Sequence, residues 1–211
     1  MSLKSVLFSF FLSQALFLCG LPLFLKLSLY LHPLAIVVVW FCILMAVSFA
    51  ILYFRGEVLQ VRRFLWQAIF AGYSFSLLVL LFFRPNGQVY SYNPIPFSTI
   101  LAYASNESAG LVSFYNLTAN VGLFIPFGLY LLSRKGKQMT VLTRFLYPFI
   151  LISIIEISQL VLRRGSLDVD DLILNMLGVY LGYRLYPFFS TVVTILPGKG
   201  SKGHKLYKSV K

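Results

Sequence analysis

Charge is what this sequence has least of, and negative charge above all. Of its 211 residues only six are Asp or Glu, and charged residues of both signs make up 11%. A soluble chain needs roughly a quarter charged residues to cover its surface, so a water-soluble fold is excluded. With 59% hydrophobic residues and a mean hydropathy of +0.83, the chain is suited to lipid as its solvent. Cysteine and histidine are also scarce. Cys19 and Cys42 fall inside apolar runs, and His32 and His204 stand alone, so no Cys/His spacing marks a metal centre. There is no Ser/His or Cys/His nucleophile arrangement and no glycine loop of the kind that cradles phosphate.

What is present is a series of apolar runs long enough to cross a bilayer, which takes about 20 residues. Six are expected: Val6–Leu25, Leu34–Phe54, Phe64–Phe83, Leu111–Leu132, Phe145–Leu162 and Asp171–Tyr186. The first looks like a signal peptide, but no small-x-small cleavage pattern follows it, so it reads as a retained span. A turn with His32 and Pro33 separates the first two spans, and Arg84-Pro85-Asn86-Gly87 stops the third. Asn93-Pro94-Ile95-Pro96-Phe97 precludes a regular helix and reads as a loop at the membrane interface. Pro187 bends or ends the last span, leaving Phe188–Leu196 at the interface, and the basic tail beyond is expected to be disordered. The fold class is therefore all-α: a polytopic helical membrane protein. Its expected parts are two N-terminal helices with their connection (1–63), a four-helix core (64–196) and a basic tail (197–211).

The net charge of +12 raises nucleic acid as a partner, but the basic residues lie in short connections and at the C-terminus rather than among aromatics on a polar face. Membrane orientation explains them, and no nucleic-acid partner is expected. With six spans, all 18 Lys and Arg except Lys26, Arg84, Arg163 and Arg164 fall on the side of the two termini. The positive-inside rule makes that side cytoplasmic. All six acids except Glu57 then fall toward the outside. The tail lysines suit anionic lipid headgroups, at about 1 kcal/mol per nearby cation.

Glu156, Asp168, Asp170 and Asp171, four of the six acids, lie in one stretch ending at Asn175, with Arg163 and Arg164 between them. An ionisable group at membrane depth is expensive and is read first as functional. Glu156 lies seven residues before Arg163, roughly 10 Å below the outer end of its helix, with Gln159 on the same face. Asn120 and Asn175 fall near the outer ends of the fourth and sixth spans, and Arg84 ends the third. Asp168, Asp171 and Asn175 would share a face if the last helix began early, whereas Asp170 points elsewhere. Bland roles exist for each: Glu156 in an ion pair with Arg84, Arg163 or Arg164, the asparagines as interhelical bonds, the aspartates as helix caps. Gly178 and Gly182 suit close helix packing.

In their order, these residues resemble the VanZ-like family of small integral membrane proteins. Three blocks carry the resemblance, over about residues 75–186: Asn93 to Phe97; Asn120-Val121-Gly122-Leu123-Phe124-Ile125-Pro126-Phe127-Gly128; and Glu156-x-x-Gln159 with Arg164, Asp168-x-Asp170-Asp171 and Asn175-x-x-Gly178. Pro94 departs from the aliphatic residue usual there, and the doubled Arg163-Arg164 leaves two matches for one family arginine. The resemblance implies a bacterial cell-membrane protein, linked in some relatives to teicoplanin-type glycopeptide resistance; it implies no reaction.

Three functions fit these residues. The first is a receptor or modifier of an envelope lipid or cell-wall-linked headgroup at the outer leaflet. In it Arg84, Arg163 or Arg164 meets a phosphate or carboxylate, and Asn93, Asn120, Gln159, Asp170 and Asn175 orient the ligand. A catalytic version uses Glu156 as general acid or base, with Asp168 and Asp171 as a second base or as ligands for a divalent cation. The second is a small proton-coupled transporter or flippase built on Glu156. The third is a membrane scaffold without chemistry. No cofactor is indicated.

Overall fold

In lipid every backbone N–H and C=O must be satisfied within the protein, and long runs of Leu, Val, Ile and Phe achieve this as helices. The computed structural model describes residues 2–28, 34–82, 92–105, 110–135, 138–164 and 167–196. Among them are seven helices: α1 (Leu3–Ser28), α2 (Leu34–Phe54), α3 (Arg63–Phe82), α4 (Ser98–Ser105), α5 (Gly110–Lys135), α6 (Val141–Val161) and α7 (Val169–Val192). The chain is an all-α polytopic membrane protein. The turn at His32–Pro33, the stop at 84–87, Arg84 itself and the 197–211 tail lie outside the described residues.

Six spans are expected from the sequence; α1, α2, α3, α5 and α6 contain stretches that are long and apolar enough to cross a membrane. The sixth, α7, has the length, but its polar residues lower its hydropathy. Its bounds also differ from those expected. It starts two residues before Asp171, because the Asp168 carboxylate caps it by accepting from the Asp170 N–H at 2.9 Å. It continues past Pro187 to Val192 rather than ending at Tyr186. A proline removes only its own helical bond, and the turns beyond are held by Phe189, whose ring lies 5.4 Å from Trp66 and 6.4 Å from Phe49.

Two pairs of short parallel strands tie the bundle at its two ends. β1 (Leu59–Arg62) pairs with β4 (Val193–Leu196), so the start of α3 meets the end of α7. β2 (Tyr92–Asn93) pairs with β3 (Leu167–Asp168), with Asn93 opposite Asp168. The first pair lies at the end bearing Arg55, Arg62 and Arg63, here called the basic end. The second lies at the acidic end.

α5 and α7 run parallel and form the most extensive helix contact. Small residues permit it. A Cβ added to Gly128 would overlap the Val179 carbonyl oxygen; one on Gly178 would overlap that of Val121, and one on Gly182 that of Ile125. Beside this seam Leu77, Leu81, Phe124, Ile152 and Val179 form the buried core. The α1–α2 hairpin uses another small-residue device. Ser5, Ser9 and Ser13, one turn apart, are 0%, 6% and 1% exposed, and the hydroxyls of Ser9 and Ser13 bond back to the carbonyls of Val6 and Phe10.

Candidate functional site

The 93–97 block forms no regular helix, as its two prolines predict, and the loop is pinned by side chains. Asn93 Oδ1 accepts from the Ile95 N–H at 3.3 Å, and Phe97 takes φ = 65°, a left-handed conformation unusual for a bulky residue. The chain then turns directly into α4, whose first N–H groups have no helical acceptor. Asp170 supplies one from 71 residues away in sequence. Fully buried, its carboxylate accepts from the N–H of Phe97, of Thr99 at 2.8 Å and of Ile100 at 3.1 Å. An anion is well placed at a helix N-terminus, where orphan donors and the helix dipole both favour it. Three backbone donors on one buried carboxylate also over-determine the strained turn at Phe97.

Asp168 completes this clasp. Its Oδ2 accepts from the Thr99 hydroxyl at 2.6 Å, and its Oδ1 caps α7 and lies 3.5 Å from Asn93 Nδ2. Asn93 Nδ2 also donates to Ser98 Oγ at 2.7 Å and Thr99 Oγ1 at 3.0 Å. Ser98 and Thr99 are absent from the sequence reading. The available signal is a pair of hydroxyl residues directly after Pro96-Phe97, the composition of a helix start.

Deeper in the bundle, α7 presents Asp171, Asn175, Gly178 and Gly182 at i, i+4, i+7 and i+11, a single helical face. Asp171 Oδ1 accepts from Asn120 Nδ2 of α5. Asn175 Nδ2 donates to Glu156 Oε1 of α6 at 3.2 Å, and both residues are buried. One turn along α6 from Glu156, Gln159 Nε2 donates to the Leu81 carbonyl at 2.9 Å, closing the end of α3. Asn120, Asp171, Asn175, Glu156 and Gln159 therefore lie in one polar layer made by α5, α6 and α7, directly above the apolar core, with the Leu81 carbonyl of α3 at its edge. Asn175 Oδ1 is buried and makes no hydrogen bond among the described residues.

Arg163 and Arg164 form the exposed turn after α6. The Arg164 N–H reaches the Gln159 carbonyl at 2.9 Å and the Arg163 N–H that of Leu160 at 3.1 Å, the double bond of a Schellman cap. Arg163 holds the left-handed position of that cap, φ = 55°, where glycine is usual. Among the described residues no three His, Cys, Asp or Glu side chains group as a metal ligand set. Asp168, Asp170 and Asp171 each face different donors.

The model of the VanZ/LLP1 family matches residues 70–190, more than half of the chain, from the middle of α3 almost to the end of α7. The chain is also similar to the protein VanZ of Enterococcus faecium, 38% identical over 74 residues that make up 35% of this chain and 45% of that protein. It thus spans less than half the length of that relative. No solved structure matches it.

Proposed function

The chain belongs to the VanZ/LLP1 family, and from that premise we propose that its acidic end binds the headgroup of a cell-envelope lipid or of a lipid-linked cell-wall intermediate. The observation that carries this reading is the Asn175 carbonyl oxygen, buried beside the Glu156 carboxylate without a hydrogen-bond donor among the described residues. Leaving a buried acceptor unmatched costs about 1–3 kcal/mol. A headgroup bearing hydroxyl, amide or ammonium donors would supply that bond. The exposed Arg163–Arg164 turn at the rim suits the phosphate of the same molecule, and Arg84 would join it from the end of α3. Asp168 and Asp170 hold the 93–100 segment over the layer. The positive-inside distribution supports an outer-leaflet position in the cell membrane for this end, the place where a VanZ-like protein linked to teicoplanin-type glycopeptides would meet its ligand.

A chemical step, if there is one, falls to Glu156 as acid or base. Transport through the layer is disfavoured, because the apolar side chains of Leu77, Leu81, Phe124, Ile152 and Val179 pack together beneath it. The test is Glu156→Gln and Asn175→Leu in purified protein, with retained lipid identified by mass spectrometry. Both variants are expected to insert and fold while losing the lipid by roughly tenfold or more, the equivalent of one charge-assisted hydrogen bond. Unchanged retention in both would sink headgroup binding. Glu156-dependent flux into proteoliposomes would instead favour the transporter, and conversion of the bound lipid would favour an enzyme.

A further inference from the structure

At the basic end one arginine keeps a buried donor without an acceptor among the described residues. Arg144 sits half-buried in the first turn of α6, and its Nε is shielded from solvent without a hydrogen bond among the described residues. Pro148, one turn on, has no N–H to give the Arg144 carbonyl. The Tyr183 hydroxyl fills that gap at 3.0 Å, a bond that engages the Arg144 main chain and not its guanidinium. The same bond sets Arg144 level with Tyr183 and with its neighbour Arg184, which is exposed.

Immediately above, on the same face of α6, a partly open apolar cleft of about 80 Å³ lies between α3, α5, α6 and α7. Phe70, Phe127 and Tyr130 form one wall and Tyr147, Pro148 and Ile152 the other. The first wall is stiff: the Phe70 and Tyr130 rings stack with centroids 3.7 Å apart, and Phe127 meets Phe70 edge-on at 5.0 Å. Ile152 and Val179 close the cleft toward the Glu156–Asn175 pair, one turn further along each helix. The cleft therefore lies on the basic-end side of the Glu156–Asn175 pair.

We infer that this cleft and Arg144 together seat one anionic phospholipid of the leaflet at the basic end, its phosphate on the guanidinium and an acyl chain along the aromatic wall. An apolar space at membrane depth is filled by hydrocarbon, and guanidinium is the side chain best matched to phosphate. Arg134 and Arg184, both exposed, add positive charge at the mouth. The same charges oppose a second copy of the chain docking there, since it would bring an equally basic end.

Full-length protein in detergent, given equal amounts of dioleoyl-phosphatidylglycerol and dioleoyl-phosphatidylcholine, tests this by native mass spectrometry. The wild type is expected to keep phosphatidylglycerol over phosphatidylcholine by roughly tenfold, the size of one charge-assisted contact. Arg144→Gln should reduce the ratio to near unity, Arg144→Lys should restore part of it, and Leu151→Trp, which fills the cleft, should lower retention of both lipids. Equal retention by the wild type, or a preference unchanged in Arg144→Gln, overturns the proposal. So does a protein dimer free of lipid, which gives the cleft to a second copy. A readout that needs no variant is photocrosslinking of the wild type with phosphatidylglycerol carrying a diazirine in its acyl chain. Adducts should map to 127–131 and 147–151, and adducts confined to other segments overturn the proposal as well.

Discussion

The two ends of this bundle handle charge in opposite ways. At the acidic end the carboxylates are drawn inward and matched to donors. Asp170 meets three backbone N–H groups, Asp168 meets Thr99 and the α7 N-terminus, Asp171 meets Asn120 and Glu156 meets Asn175. At the basic end Arg62 of β1, Arg63 and Arg134 at helix ends, and Arg184 within α7 stay exposed. Both ends are stitched by a parallel strand pair, so the difference lies in the charges and not in the strand pairing. Where geometry must be fixed, as at Asp170, charge is buried and hydrogen-bonded through both carboxylate oxygens, because buried polar groups rigidify only when satisfied. Where charge only has to meet a surface, it is left on long side chains.

The seam between α5 and α7 connects the two ends, so breaking it should abolish the distinction altogether. Gly182→Leu forces a side chain into the Ile125 carbonyl and the Gly128 backbone, which cannot swing aside as a side chain could. The cost should lie at or above the top of the roughly 1–3 kcal/mol usual for overpacking. Little monodisperse protein is expected on size exclusion. Gly122→Ala, with no atom within 4 Å of the added Cβ, should behave as wild type. A well-behaved Gly182→Leu protein would mean that the helices are not held this closely.

Next in size is Asp170→Ala, which removes the acceptor of three backbone donors at once. Even one buried donor left unmatched costs about 1–3 kcal/mol, so the thermal midpoint should fall and protease should cut within 92–105. The lipid-binding loss should follow from the loosened segment, although Asp170 itself need not touch ligand. If Asp170→Ala melts like the wild type, the acidic end is not pre-organised by its carboxylates and the contrast with the basic end collapses.

The physics of each feature decides how far it could be read from residues alone. Spanning helices follow from hydropathy over 20 residues, and counting turns back from Arg163 is enough to put Glu156 and Asn175 at similar depth. Chain direction brings Asn120 and Asp171 to that level too, but which side chain bonds to which depends on packing. Helix α4 could not be read, because Pro94 and Pro96 mask a start that depends on an acceptor 71 residues away. Two-residue strands such as β2 and β3 have no room for an alternating pattern. The run of α7 past Pro187 rests on aromatic contacts with α2 and α3, which no local rule contains. Arg144 gave no sign at all, since a basic residue at a helix start looks like any other topogenic charge.

The smallest effect concerns the one acid at the basic end. Glu57 accepts from the Ser5 hydroxyl, from the Ser2 N–H at 2.6 Å and from the Ser2 hydroxyl at 3.0 Å, holding the start of α1 against the end of α2. The Ser5 bond, then the Ser2 backbone bond, hold its pKa below the ordinary value of 4.5. A carboxyl whose folded pKa is depressed adds stability that is fully present above the unfolded value and is lost as pH falls through the folded one. The window is therefore acidic, opening just below about 4.5. Glu57→Gln should lower the thermal midpoint slightly at neutral pH, and the gap to wild type should close as the pH is brought down through that window. Because the group is at the solvent-facing end, added salt should shrink the gap too. A gap that is constant with pH would show that Glu57 acts by shape alone, and the basic end would then hold no carboxylate used as those of the acidic end are.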